Sequence, residues 1–392
     1  ALQRRVPAPS DPTAAAGISA TRDRLATSRA AFLAGNYAEA MTFAKQAVEL
    51  ATPIGHAPLT AETQFVFGQT AYRANDTKAG AVALQRAYEE AIAGADDVIA
   101  AETAIAQVFV VGYVERRVDD GRRWAGIAEA HVRRVGENGE LRGALANALG
   151  NLADTAGNYE EARAAFARAG EAWRALPGDH RVPVGGALQN EGNMLRYLGR
   201  YDEALVRLEQ AEAVWTPALG KDHPYLGMVA GNMSIALRSL GRDGLALARS
   251  ERSLAIDVAN FGPDDPNTGM SLGQVGVVLM TTGRPADALG RFHRALEIFT
   301  KRLGPEHPLV ASTTTNIGQA ELGLGRYDDA EAHLTASLAL KTKLRGASHA
   351  SLATTLEALG EIDHRRRRFA GALVKFRRSL AIGTAALGAD SA

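Results

Sequence analysis

Gly157-Asn158-Tyr159-Glu160-Glu161-Ala162 recurs as Gly199-Arg200-Tyr201-Asp202-Glu203-Ala204 and again as Gly325-Arg326-Tyr327-Asp328-Asp329-Ala330. Weaker copies run from Gly241 to Ala246 and from Gly283 to Ala288, and a last one from Arg367 through Phe369 to Ala372. The anchors 157, 199, 241, 283, 325 and 367 stand 42 residues apart without a slip. Self-similarity at a fixed period of this length marks stacked helical hairpins, each burying its apolar face only against its neighbours. The usual product of such stacking is a binding surface.

Working outward, Gly35-Asn36-Tyr37-Ala38-Glu39-Ala40 is a full upstream copy, and degenerate copies fall around Asn75 to Gly80 and Arg116 to Gly121. Nine hairpins result, the second and third being the most eroded. The anchor glycine ends a first helix, where a left-handed residue is needed. Seven residues earlier the last six units carry a small residue, Gly150, Gly192, Ser234, Gly276, Gly318 and Gly360, which lets the two helices of a hairpin approach. Five residues after the anchor the seven better copies carry Ala, and nine after it usually comes a large apolar residue such as Phe166, Leu208, Phe292, Leu334 or Phe376, with Ser250 the exception. The linkers Leu219-Gly220-Lys221-Asp222-His223-Pro224 and Leu303-Gly304-Pro305-Glu306-His307-Pro308 stop one helix with Gly and start the next with His-Pro.

Three prolines within Pro7-Ala8-Pro9-Ser10-Asp11-Pro12 predict an extended linker over residues 1–17. Irregular units follow over 18–136 and a regular array over 137–392. Lys plus Arg balances Asp plus Glu at 44 each, so no net field favours nucleic acid. Cysteine is absent, which removes disulfides and thiolate chemistry. No apolar run of the roughly 18 residues a membrane span requires stands out. The chain opens with Ala1 rather than Met, as a processed chain or a piece of a longer one does.

The small residue, the Gly-x-Tyr-x-x-Ala turn and the Ala and Phe of the second helix together resemble the tetratricopeptide repeat (TPR). The 42-residue length and the Leu-Gly-x-x-His-Pro linker resemble the long variety found in kinesin light chains and many bacterial proteins. The resemblance covers residues 20 to 388 and implies an all-α, right-handed superhelical solenoid, first helices inside and second helices outside. A further resemblance lies in Ala1-Leu2-Gln3-Arg4-Arg5-Val6-Pro7-Ala8-Pro9, the Gly-Asn-Tyr-Ala-Glu-Ala turn and Val110-Val111-Gly112-Tyr113. That order is similar to the C-terminal region of large bacterial receptor-type Ser/Thr protein kinases. It implies a regulatory or sensory array whose catalytic domain is not in this chain, since no His-Arg-Asp, Asp-Phe-Gly or strand-lysine motif is present. A cytoplasmic location is expected, or an extracytoplasmic one if the array is attached to a membrane-spanning kinase.

In tetratricopeptide domains that hold peptides, polar side chains of the first helices grip the ligand backbone. Asn190, Asn232 and Asn316 share one repeat position, with Gln274 in the unit between, and Asn193 and Asn151 form a partial second row. Amides offer donors and an acceptor to an extended peptide; the same groups also suit bonds that fix neighbouring helices. Arg196 and Arg238 share a position held elsewhere by Asp154, Met280, Leu322 and His364, so no basic row for a carboxylate persists. The run His364-Arg365-Arg366-Arg367-Arg368 reads as a solvated helix end, favourable to the dipole. No His-x-x-x-His spacing, nucleophile–base pair or complete nucleotide loop exists, so no metal, cofactor or catalysis is expected. The reading is a non-catalytic scaffold for a protein or peptide partner, with self-association through the terminal repeats as an additional route.

Overall fold

The computed structural model describes residues 6–7, 9–74 and 76–387. Ala1–Arg5 of the Pro-rich segment, the degenerate anchor Asn75 and the closing Gly388-Ala389-Asp390 lie outside those residues. All regular structure among them is helical, and it divides into an N-terminal unit (residues 1–200) and a C-terminal unit (201–392).

The N-terminal unit pairs α1 (Pro12–Leu33) with α2 (Tyr37–Ala51) and α3 (Ala57–Arg73) with α4 (Thr77–Ala93). Next, α5 (Asp97–Gln107), continued by a π-helical segment (Val108–Val114), pairs with α6 (Val118–Val135). Then α7 (Gly139–Thr155) pairs with α8 (Tyr159–Arg174), and α9 (Arg181–Tyr197) packs on α8. The C-terminal unit opens with α10 (Tyr201–Leu219), followed by α11 (Pro224–Ser239) with α12 (Asp243–Phe261) and α13 (Pro266–Thr281) with α14 (Pro285–Leu303). It closes with α15 (Pro308–Gly323) on α16 (Tyr327–Arg345) and α17 (Ala353–Arg365) on α18 (Phe369–Leu387). Each unit is an all-α solenoid of antiparallel hairpins.

The extended segment expected over residues 1–17 is shorter than its prolines suggest. Helix α1 starts at Pro12, and the Asp11 carboxylate accepts the Ala14 N–H at 2.8 Å. A proline at the first helical position loses no intrahelical bond, so Asp11-Pro12 is a helix start rather than linker.

Every anchor among the described residues adopts positive φ. Gly157, Gly199 and Gly325 lie at +80°, +74° and +74°, and where the glycine is missing Arg116 (+57°) and Arg367 (+60°) take the same conformation. The turn therefore survives its preferred residue, at a cost in strain. The small position is equally physical. A Cβ on Gly150 would lie 2.6 Å from the Phe166 ring, one on Gly318 2.6 Å from Leu334, and one on Gly360 2.7 Å from Phe376. The exception at Ser250 has a counterpart: Ser234 replaces the small glycine and donates to the Ala246 carbonyl at 2.8 Å. Ser28 makes the equivalent bond to Ala40 at 2.8 Å in the first hairpin.

The third hairpin solves the same problem three residues later. There Phe109 occupies the position that is small elsewhere, and the π-helical segment brings Gly112 against Gly121 instead; a Cβ on Gly121 would lie 2.6 Å from the Gly112 Cα. The stretch Asp97–Val114 corrects the expectation that no apolar run has spanning length. Its 18 residues average a mean hydropathy of 1.5, enough by length and composition alone. Yet 56% of the stretch is buried inside the protein, against α3, α6 and α7, so core packing accounts for its composition.

The linkers are held by the hairpins that follow them. His223 Nδ1 accepts the Tyr225 N–H at 3.2 Å, His307 Nδ1 that of Leu309 at 3.2 Å and His349 Nδ1 that of Ser351 at 3.1 Å, while Asp265 does the same for Asn267 at 2.8 Å. The His of the His-Pro motif is thus an N-cap, interchangeable with Asp. From the second helices, Arg252 reaches Asp222 at 2.9 Å, Arg294 reaches Asp264, and Asn260 and Arg302 donate to the carbonyls of Asp222 (2.8 Å) and Asp264 (3.0 Å).

Candidate ligand-binding surface

The five predicted amides lie half-buried on first helices, but they do not share one environment. Asn190 of α9 donates to Asn147 of α7 at 3.4 Å, and Gln274 of α13 donates to the Gly231 carbonyl of α11. These two link successive first helices, as a stacking role requires. The Asn193 side-chain oxygen accepts from Arg196 at 2.8 Å. Asn232 and Asn316 hydrogen-bond through their side chains to no described residue. The basic run that begins at His364 is not merely solvated: Arg366 and Arg368 pair with Glu331 of the preceding hairpin at 2.9 and 3.1 Å, and Arg366 also pairs with Asp328.

The N-terminal unit forms a cavity of about 600 Å³, within the range of ligand pockets. First helices α3, α5 with its π-helical segment, and α7 supply most of its wall. Phe65, Phe109 and Trp173 give it an apolar lining, and the amides of Gln69, Asn147 and Asn151 stand among them. Through the Asn190–Asn147 bond the predicted row of amides meets this cavity. Tyr72 also lines it; burial and the neighbouring Glu115 carboxylate, 3.5 Å from its hydroxyl, push the phenol up to about 12. Glu102 projects from α5 into the same space, and burial raises its pKa above the usual carboxylate range.

Sequence reasoning passes over Gln69, Glu102 and Asn147, which lie in or beside the eroded repeats. Counting from the anchors fails for Glu102, because the π-helical segment displaces the register of its hairpin, whereas Gln69 stands six residues before Asn75, the position that Asn151 and Asn193 hold before their anchors. Counting from the helix caps recovers a signal. Six residues after the caps His56, Asp96, Asn138 and His180 stand Glu62, Glu102, Ala144 and Gly186, so two carboxylates occupy a row that turns small downstream. Among the described residues no three His, Asp or Glu side chains converge as a metal site would require.

Stacked helical hairpins lined by first-helix amides and apolar side chains define a repeat scaffold of the protein-interaction class. The chain belongs to the tetratricopeptide-repeat family, whose model matches residues 184–259, 267–343 and 310–385. No curated protein matches it in sequence. Among solved structures it is similar to the apo form of the quorum sensor NprR from B. thuringiensis, at 12% identity and a TM-score of 0.67 over 93% of this chain and 99% of that one. It is also similar to a Rap protein complexed with competence and sporulation factor, at 12% identity and a TM-score of 0.56 over 83% of this chain and 97% of that one. The nearly identical TPR-like repeats of a kinesin light chain type protein from Podospora anserina align at 19% identity over 54% of this chain and 99% of that one, with a TM-score of 0.45. At these identities the likeness is one of fold.

Proposed function

We propose that this chain is a non-catalytic scaffold that binds a peptide or an extended segment of a partner protein against its first helices. The observation that carries this reading is the cavity of the N-terminal unit, where apolar rings and the amides of Gln69, Asn147 and Asn151 face one space of about 600 Å³. Rings bury side chains, while amides pair with a peptide backbone whatever its sequence. Asn232 and Asn316, whose side chains bond to no described residue, offer the same chemistry within the C-terminal unit. The Rap protein complexed with competence and sporulation factor offers a parallel for a factor held by such a fold.

Selection of random peptides on the full chain tests this reading. Selected peptides are expected to bind the Asn147→Ala/Asn151→Ala and Asn232→Ala/Asn316→Ala variants less tightly, with helicity by circular dichroism unchanged. Equal loss of binding and of helicity would show that the amides only hold the stack together. A second reading, the regulatory part of a receptor-type Ser/Thr kinase, is favoured by the resemblance at Val110–Tyr113, which falls in the π-helical segment. The reading frame upstream of Ala1 decides it: a kinase domain and a span there support it, and their absence sinks it.

A further inference from the structure

We propose that the cavity of the N-terminal unit selects a peptide carrying an arginine or lysine between large apolar residues, with the cation seated against Glu102. This rests on the peptide-binding reading and adds to it a ligand class. Three features of the site converge on it. The Glu102 carboxylate lines the cavity and has no hydrogen bond or ion pair to any described residue. A carboxylate withdrawn from water without a counter-ion is unfavourable, and a partner's cation relieves that.

The surrounding charges do not already supply the relief. Of the groups acting on Glu102, Arg29 favours its ionised form, but that guanidinium is engaged by Glu62 at 3.4 Å; Glu62 and Asp96 oppose ionisation. Of the other charged residues on the cavity wall, Arg73 is exposed and is not among the charges that act on Glu102. Glu140 is bound by His180 at 3.0 Å. Glu102 is therefore the one carboxylate of the wall left for a ligand among the described residues. Burial holds its pKa up, so an incoming cation also restores its charge. Finally, Phe65, Phe109 and Trp173 line the same cavity, so the flanking residues of the peptide are apolar.

The test uses three pools of fluorescein-labelled, N-acetylated, C-amidated heptapeptides with a central Leu-Z-Phe, where Z is arginine, citrulline or glutamate. Anisotropy titrations against the full chain are expected to rank arginine about tenfold above citrulline, with glutamate weakest. Glu102→Gln is expected to bring the arginine pool down to the citrulline value, Glu102→Asp to retain most of the preference, and Glu102→Arg to turn it toward glutamate. Glu102→Gln removes a carboxylate that has no partner among the described residues and is expected to unfold thermally at or above the wild type, so misfolding does not confound that variant. Equal binding of the arginine and citrulline pools, or a preference that survives Glu102→Gln, overturns the assignment of Glu102 while leaving peptide binding intact. Failure of all three pools overturns peptide binding at this cavity together with it.

Discussion

The Lys341 ammonium of α16 donates to the Thr355 hydroxyl at 2.8 Å in a site where, among the described residues, no carboxylate meets it. It also donates to the Thr315 hydroxyl at 2.8 Å, and the residue is buried. Burial lowers its pKa from 10.5 to about 8. A lowered lysine pKa means that the fold disfavours the charged form. Below pH 8 both folded and unfolded chains carry the proton, and the native state bears the full penalty. Between pH 8 and 10.5 the native chain releases the proton first, so stability rises with pH across that window. Lys341→Met is expected to stabilise the C-terminal unit at pH 7 by about 1–3 kcal/mol and to flatten this rise. Denaturant midpoints of both proteins from pH 7 to 10.5 measure the difference. Parallel curves would show that Lys341 is not the buried cation responsible. The hydroxyls left behind remain paired, since Thr315 also meets Ser337 at 2.7 Å.

The close approach at Gly150 predicts strong coupling with Phe166. With its Cβ 2.6 Å from the Phe166 ring, Gly150→Leu is expected to cost about 3 kcal/mol or more through overpacking. Phe166→Ala alone costs about 3–5 kcal/mol by leaving a cavity. The double variant is expected to lose much less than the two single losses added together, because the leucine enters the space the ring vacates. A double-mutant cycle by thermal unfolding gives the coupling, and additive losses would contradict the contact.

The linker caps predict sensitivity to acid. His223 accepts the Tyr225 N–H through Nδ1, which only an unprotonated nitrogen does, and burial lowers the pKa of this imidazole below 6.5. A lowered histidine pKa means that the unfolded chain takes up the proton first. Stability falls as pH drops below 6.5, and the cap is lost with it. His223→Asp, the residue found at the equivalent Asp265, is expected to hold its melting temperature from about pH 7.5 to 5.5 better than the wild type does. His307→Ala tests the cap at a second linker and is expected to cost about 1 kcal/mol at neutral pH.

The arginines in glycine's place predict a gain. Arg367 sits at φ +60° where the five preceding anchors of the 42-residue register are glycine, so Arg367→Gly relieves left-handed strain. The expected stabilisation is about 1 kcal/mol, read as a higher denaturant midpoint. Gly325→Ala at φ +74° is expected to lose a similar amount.

The hairpins were legible because the anchor, the small residue and the large residue recur together, and each proves to be a steric requirement. Gly150 and Phe166 are one contact written 16 residues apart, and the exception at Ser250 is matched by Ser234. The candidate site was less legible. Asn190 and Gln274 have the right spacing for a ligand, yet a side chain's repeat position does not tell whether its neighbour is a peptide or the next helix. Glu102 was missed for a different reason. It lies in the hairpin where Phe109 fills the small position and the π-helical segment moves the close contact to Gly112, so the anchor-based count loses its meaning there. The start of α1 was hidden by prolines, which signal linkers and helix starts alike until the Asp11 cap is seen.

Each of the linkers at Asp222 and Asp264 is tied to the hairpin after it, by Arg252 and Asn260 in the first case and by Arg294 and Arg302 in the second. A recombination event between two such linkers therefore removes or inserts one complete hairpin with its cap and its tether. The cut falls where the junction on either side is rebuilt from equivalent residues. Array length can change by whole copies during evolution without any intermediate that must fold around half a hairpin, which makes the linker the natural joint for gene duplication in this protein.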